Sequence, residues 1–163
     1  MSTLIVYASS KGYTRECALH LQQQISGDVD VADLKKVKHP DLSGYDRVII
    51  GASIHASNLQ GSVKRFAQSH EEELLKKQLL AIYICALDDQ KWEEYLNQLP
   101  APITARAQLK EWFGGRIIFS EHFFLLRKFL KKVTGSVEDL HKEQPERVER
   151  FIEAYHQLLE DPA

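Results

Sequence analysis

Near its N-terminus the chain reads Ile5-Val6-Tyr7-Ala8-Ser9-Ser10-Lys11-Gly12-Tyr13-Thr14. The first four residues continue an apolar run rich in β-formers, and the small polar residues after them predict a loop. From Thr14 onward the apolar residues recur at helical spacing, with Cys17, Ala18, Leu21 and Ile25 on one face. The stretch therefore predicts a strand, a tight loop and a helix in immediate succession.

The same alternation continues along the chain. Four further strands are predicted by short apolar runs at residues 29–33, 48–52, 79–85 and 116–120. Because these runs are mostly unbroken rather than alternating, they favour strands buried on both faces. Four sets of apolar residues predict the helices: Val63, Phe66, Ala67 and Leu74; Trp92, Tyr95, Leu96 and Leu99; Ala105, Leu109, Trp112 and Phe113; and, after Pro145, Val148, Phe151, Ile152, Tyr155 and Leu159.

This order of elements predicts the α/β class. We expect a three-layer, doubly wound sheet of five parallel strands in the order 2-1-3-4-5, with helices on both faces. A length of 163 residues fits one domain, so residues 1–163 are predicted to fold as a single unit. In such sheets ligands bind at the carboxyl ends of the strands, which directs attention to the loops after the first, third and fourth strands.

Charge and cysteine content narrow the class of protein. The net charge is −2, from 21 Lys and Arg against 23 Asp and Glu, and this disfavours a general nucleic-acid binder. Cys17 and Cys85 form no CxxC pair, so no metal site is predicted, and two reduced core thiols are expected. We find neither a signal-peptide pattern nor an apolar run of about 20 residues, and therefore expect a cytoplasmic protein.

The loop after the first strand has the chemistry of an anion site. Ser9, Ser10 and Thr14 carry hydroxyls that can donate to phosphate oxygens, and Gly12 permits close approach of the backbone. The start of the following helix adds free N–H groups. An ordinary capped loop is the open alternative. Neither GxxxxGK[ST] nor GxGxxG occurs in the chain, so ATP- and dinucleotide-binding motifs are lacking.

The stretch quoted at the outset resembles the flavodoxin signature, which has an aliphatic pair, an aromatic, a Ser or Thr, a small residue and a Thr. Ser9, Gly12 and Thr14 fall on its fixed positions, and Lys11 stands where many flavodoxins have Thr. The resemblance implies that FMN is the cofactor. It also implies the residues that hold the FMN phosphate: Ser9, Ser10, Lys11, Gly12, Tyr13 and Thr14.

A second stretch, Tyr45-Asp46-Arg47-Val48 followed by Gly51-Ala52-Ser53-Ile54-His55, resembles the branch of menaquinone-dependent protoporphyrinogen oxidases. This resemblance implies the residues that line the isoalloxazine ring: Ala52, Ser53, Ile54, His55 and Ala56 after the third strand, and Ala86, Leu87 and Asp88 after the fourth. His55 is either a group near the polar edge of the flavin or a solvated loop histidine. Asp88 and Asp89 could instead cap the next helix.

A basic amphipathic segment covers residues 121–135. Phe123 lies on its apolar side, and Arg127, Lys128, Lys131 and Lys132 lie on its cationic side. This pattern is typical of a helix in a membrane surface, where it would dock to an anionic membrane. The protoporphyrinogen oxidase branch carries a similar basic, aromatic-rich stretch at this place, and this resemblance implies quinone docking. A helix that packs its apolar face on the domain core is the alternative.

Taken together, these features predict an FMN-dependent oxidoreductase similar to the menaquinone-dependent protoporphyrinogen oxidases. Its expected partner is a quinone or a redox partner protein, and the flavin, rather than a side-chain nucleophile, carries the chemistry. Two alternatives stay open: a flavodoxin that carries electrons between proteins, and a cofactor-free domain that keeps the fold for protein interaction.

Overall fold

The computed structural model describes residues 1–118, 128, 131–132, 135 and 139–160. Its strands are β1 (Ser2–Ala8), β2 (Asp28–Asp33), β3 (Arg47–His55), β4 (Asn58–Leu59), β5 (Leu79–Cys85), β6 (Leu109–Ile117) and β7 (Leu140–Glu143). Its helices are α1 (Tyr13–Gln24), α2 (Gly61–Ser69), α3 (Glu71–Leu75), α4 (Trp92–Leu96), α5 (Ala101–Arg106) and α6 (Pro145–Glu160).

The sheet has the predicted parallel core. Strands β2, β1, β3, β5 and β6 lie side by side in that order and are all parallel, which is the order 2-1-3-4-5. Two short strands were not predicted: β7 pairs antiparallel with β6 at the edge, and β4 folds back antiparallel onto β3. Neither β7, which reads LHKE, nor β4, which has two residues, carries an apolar run that would reveal a strand.

Two predictions about residues 105–120 were wrong. Leu109, Trp112 and Phe113 were predicted to lie on a helix, but helix α5 ends before them, at Arg106. They belong instead to the fifth parallel strand, which starts at Leu109 rather than at residue 116. Trp112 and Phe113 belong to opposite hydrophobic layers, as consecutive residues of a strand must. The helix-like spacing arose because a strand buried on both faces places apolar residues at any interval.

Two hydrophobic layers sandwich the sheet. One contains Phe66, Leu74, Tyr95 and Ile103 from helices α2 to α5, and the other contains side chains of α1 and α6 such as Leu21 and Ile152. The expected three-layer architecture is therefore confirmed. The single helix expected over residues 63–74 is two helices, which meet at His70.

The register of the strands brings three loops to one edge. Ala8 pairs with Ala52, and Ala52 pairs with Ile84, so β1, β3 and β5 end at nearly the same height. Because the three strands are parallel, the loops that follow them emerge on the same side of the sheet. These are the loops in which the sequence places the cofactor.

Candidate functional site

The loop after β1 presents a helix N-terminus to solvent. Gly12 has a φ of +96°, a left-handed conformation that favours glycine, and it lies directly before α1. Its N–H donates to the Ser9 hydroxyl at 2.9 Å, and its carbonyl accepts from the Glu16 N–H at 2.9 Å. Tyr13, Thr14 and Arg15 are the first three residues of the helix, so no carbonyl of a preceding helical turn is available to accept from their backbone N–H groups. The loop therefore directs backbone donors and the positive end of the helix dipole outward.

Most of the residues predicted to hold the phosphate line this loop. Ser10 and Lys11 are exposed, and Ser9, Gly12 and Tyr13 are half-buried. Thr14 differs because it is only 1% exposed. Its side chain hydrogen-bonds with the Cys85 thiol, so the Thr14 group directed to the loop is its backbone amide. The predicted site thus depends on backbone donors at Thr14 and on side chains at Ser9 and Ser10.

Tyr13 is held by neighbours from β6. Its hydroxyl donates to the Phe113 carbonyl at 2.9 Å, and burial raises the pKa of its phenol. The Arg116 guanidinium lies 5.4 Å from the centre of the Tyr13 ring and pairs with Glu16 of the first turn of α1. Tyr13 therefore remains a neutral side chain in a fixed orientation beside the loop.

Tyr83 supports the loop from below and was not singled out by the sequence analysis. It is fully buried, its hydroxyl donates to the Thr14 carbonyl at 2.9 Å, and its ring stacks on Phe113 at 4.7 Å. The ring crosses β3 at Gly51, where a Cβ would lie 2.2 Å from Tyr83 Cζ. A glycine inside an otherwise apolar strand is the signal that could have revealed this close approach.

The end of β3 forms a tight hairpin. Ala52 and Ser53 are buried, and the Ser53 hydroxyl donates to the Ala8 carbonyl at 3.2 Å, which joins the ends of β1 and β3. Ile54 is half-buried, whereas His55 and Ala56 are exposed. His55 pairs with Asn58 across a two-residue turn in which Ala56 and Ser57 have φ values of 47° and 63°. Positive φ at both residues is typical of a type I′ hairpin, and non-glycine residues there carry strain.

Gln98 clamps this hairpin and is a second residue that the sequence analysis missed. Its side-chain oxygen accepts from the Leu59 N–H at 2.8 Å, and its side-chain nitrogen donates to the Ser57 carbonyl at 3.0 Å. One side chain thus satisfies two backbone groups of the strained turn. Nothing in the local sequence around Gln98 indicates this partner, because it lies 41 residues away.

The loop after β5 is fixed at its first residue and more open beyond it. Ala86 is buried, its N–H donates to the Gly114 carbonyl at 2.8 Å, and its carbonyl accepts from Trp112 Nε1 at 2.7 Å. Leu87 and Asp88 are half-buried. The Asp88 carboxylate accepts from the Gln90 N–H at 3.0 Å, two residues before α4, and α4 itself has no side-chain cap. The capping alternative for Asp88 and Asp89 is therefore wrong.

Cys17 and Cys85 lie together under the loop after β1. Both are free and buried, and their thiols hydrogen-bond to each other. This bond lowers the pKa of Cys17, whereas burial raises the pKa of Cys85. The two predicted core thiols are therefore confirmed, and the fold adds that they are neighbours, because β5 lies against α1.

The basic segment is described only in part. Phe123 and Arg127 lie outside the described residues. Lys128, Lys131 and Lys132 have helical backbone and are exposed. Within the described ranges, no helix is both long and apolar enough to span a bilayer.

Comparisons with known proteins agree with this architecture. Residues 4–144 match the sequence model of the Flavodoxin domain family. The Escherichia coli (strain K12) protein named protoporphyrinogen IX dehydrogenase (quinone) is 26% identical, and the alignment covers 99% of this chain and 98% of that protein. A protein of the same name from Leishmania major is 24% identical, with 86% of this chain and 66% of that protein covered.

Solved structures share the fold at low identity. The flavodoxin of Fusobacterium nucleatum bound to flavin mononucleotide superposes with a TM-score of 0.53 at 9% identity, over 96% of this chain and 97% of that one. The rubredoxin oxygen:oxidoreductase of Desulfovibrio gigas gives 0.61 at 12% identity, over 98% of this chain and 37% of that one. Since the family match spans most of the chain, and the strand order and the loop after β1 agree with it, the chain belongs to the flavodoxin domain family.

Proposed function

We propose that this protein binds FMN at the carboxyl edge of its sheet and acts as an FMN-dependent oxidoreductase. The observation that carries the proposal is the convergence of three loops. A helix N-terminus with free backbone donors and flanking hydroxyls follows β1, and the β3–β4 hairpin and the loop after β5 end beside it. This arrangement suits a ligand that joins an anionic group to a flat ring.

The residues present fit such a ligand. Gly12 adopts a conformation that lets the backbone turn toward an anion, and Ser9, Ser10 and the first amides of α1 would hold the phosphate. Ser53 to Ala56 and Leu87 to Asp88 would border the ring. When bound, FMN supplies the hydride- and electron-transfer chemistry, and the protein orients it and excludes water.

For the substrate we infer a porphyrinogen, with a quinone as electron acceptor. The support is the name shared by the relatives from Escherichia coli and Leishmania major, protoporphyrinogen IX dehydrogenase (quinone). The exposed Lys128, Lys131 and Lys132 would bring the protein to an anionic membrane surface, where quinones are dissolved. Sedimentation with phosphatidylglycerol vesicles tests this contact, and equal sedimentation of wild type and a Lys→Gln variant at all three lysines would refute it.

Calorimetric titration with FMN, followed by anaerobic turnover of protoporphyrinogen IX with a menaquinone analogue, tests the main proposal. We expect saturable binding with one FMN per chain and quinone-dependent oxidation. FMN binding without turnover would favour the electron-carrier alternative. Failure to bind FMN would refute the redox assignment and favour a cofactor-free interaction domain.

A further inference from the structure

A basic cleft of about 700 Å³ opens between the loop after β2 and the start of α2. Lys35, Lys38 and His39 line it from the loop, and Gln60, Ser62 and Arg65 line it from the helix. The cleft is distinct from the loop after β1, because α2 covers the opposite face of the sheet from α1.

The cations around this cleft form no ion pair with acids of the described residues. In the described part of the chain, no carboxylate lies within 4.0 Å of the side-chain nitrogens of Lys35, Lys38 or Arg65. The two acids nearest in sequence are bonded to backbone: Asp33 Oδ1 accepts from the Lys35 N–H at 3.0 Å, and Asp41 Oδ1 accepts from the Ser43 N–H at 2.9 Å. Three like charges that share a concave surface repel one another, and an anion placed among them would remove that repulsion.

The start of α2 adds directed donors to this charge. Its N-cap residue Gln60 makes no side-chain capping bond, so the amides of Gly61 and Ser62 have no helical acceptor. The Ser62 Oγ is buried and has no hydrogen-bond partner among the described residues. The Arg65 guanidinium folds back over Gly61, where a Cβ would lie 3.1 Å from Arg65 Nη1. A cation beside the positive end of a helix is unfavourable unless an anion lies with it.

The cleft adjoins the proposed flavin site through a shared hairpin. Gln60 lines the cleft, and its N–H donates to the Ser53 carbonyl at 3.2 Å. Leu59 pairs with Ile54 in the same hairpin. A substrate whose reacting carbon lies against a ring bordered by Ser53 and Ile54 could therefore extend a charged group into the cleft.

We propose that this cleft binds the propionate carboxylates of the porphyrinogen substrate, an inference that rests on the proposed function. Arg65 and Lys38 pair with the carboxylates, and the first amides of α2 donate to them. Charge-assisted hydrogen bonds of this kind are about twice as strong as neutral ones, and Arg can make two parallel bonds to one carboxylate. The cleft would thus orient the macrocycle without taking part in the redox step.

The test measures equilibrium binding of mesoporphyrin IX, a porphyrin with two propionates, to the FMN-loaded protein. Tryptophan fluorescence serves as the binding signal. We expect Arg65→Gln to weaken binding about tenfold and Lys38→Gln about threefold, in line with the loss of one charge-assisted contact each. The matched control is Lys36→Gln, an exposed lysine of the same loop that does not line the cleft. It should change binding less than about twofold, because it is as exposed as Lys38 but does not line the cleft.

A second ligand and a kinetic arm separate the possible outcomes. The dimethyl ester of mesoporphyrin IX should bind wild type and Arg65→Gln equally, because it lacks the carboxylates. In turnover, Arg65→Gln should raise KM about tenfold, leave kcat within about twofold, and leave the FMN Kd unchanged.

The proposal would be overturned if Arg65→Gln and Lys36→Gln bound mesoporphyrin IX equally well, or if wild type did not bind it. It would also be overturned if Arg65→Gln weakened binding of the dimethyl ester as much as binding of the free acid. If porphyrin binding depends on Arg65 but no turnover occurs, the proposed substrate is refuted, whereas the carboxylate-binding role of the cleft is supported. If Arg65→Gln leaves turnover unaffected, the proposed function is supported and the role of the cleft in substrate binding is refuted.

Discussion

Gly51→Ala is expected to destabilise the protein through its contact with Tyr83. The new Cβ would lie 2.2 Å from Tyr83 Cζ and 2.3 Å from its hydroxyl oxygen, whereas carbon atoms in contact are about 3.5–4.0 Å apart. Tyr83 has little freedom to retreat, because its ring is fully buried against Phe113 and its hydroxyl is bonded to the Thr14 carbonyl. The ring must therefore shift by more than about 1 Å, or β3 must move away.

The expected loss of stability follows from these two contacts of Tyr83. Overpacking of a dense core costs about 1–3 kcal/mol, and a lost buried hydrogen bond to Thr14 adds about 0.5–1.5 kcal/mol. We therefore expect the free energy of unfolding to fall by about 2–4 kcal/mol, which lowers Tm by about 5–15 °C for a domain of this size. Because Thr14 belongs to the first turn of α1, the same shift should weaken FMN binding.

Thermal denaturation and FMN titration would measure both effects. Gly44→Ala is the matched control, since a Cβ at Gly44 meets no atom of the described part of the chain within 4 Å. It should leave Tm unchanged or slightly raised. In a Tyr83→Ala background, Gly51→Ala should cost much less than in wild type, because the clashing ring is gone. If Gly51→Ala and Gly44→Ala have the same Tm, the packing argument fails.

Three further outcomes are expected. Gly12→Ala and Gly27→Ala, at φ values of 96° and 98°, should each cost about 1–2 kcal/mol of stability. Only Gly12→Ala should raise the FMN Kd, and equal Kd values for the two variants would contradict the role of the loop after β1. Trp112→Phe leaves the buried Ala86 carbonyl without its donor and should lower stability by about 1–3 kcal/mol in urea unfolding, whereas an unchanged midpoint would show that another donor replaces it. His55→Ala should lower the two-electron potential of bound FMN by about 5–20 mV in a redox titration, and no shift would indicate a solvated histidine.

Some local features could not be predicted because their partners are distant in sequence. Tyr83 reaches Thr14 across 69 residues, and Gln98 reaches Ser57 across 41. The same limit explains the error at Trp112 and Phe113, whose spacing fits both a helix and a strand buried on two faces. Pairing with β5 decided between the two.

The basic cleft also depended on tertiary structure. The loop after β2 and the start of α2 each carry ordinary surface cations in the sequence, and only their approach creates a concave site with unbalanced charge. The sequence alone therefore gives no reason to group Lys38 with Arg65. Charges that are far apart along the chain interact only when the fold sets their distance and their exposure to water.

Local order was determined by the sequence alone. The apolar runs, their alternation with helical faces and the loop at residues 9–14 were enough to predict the parallel core, its strand order and the loop suited to an anion, because these features depend on neighbours within a few residues and on general rules of chain connection. Tertiary structure decided the rest: the strand at Leu109–Ile117, the strained hairpin and its clamp, the paired cysteines and the cleft. Each of these depends on which distant side chains share a small volume, and that is settled by packing rather than by pattern.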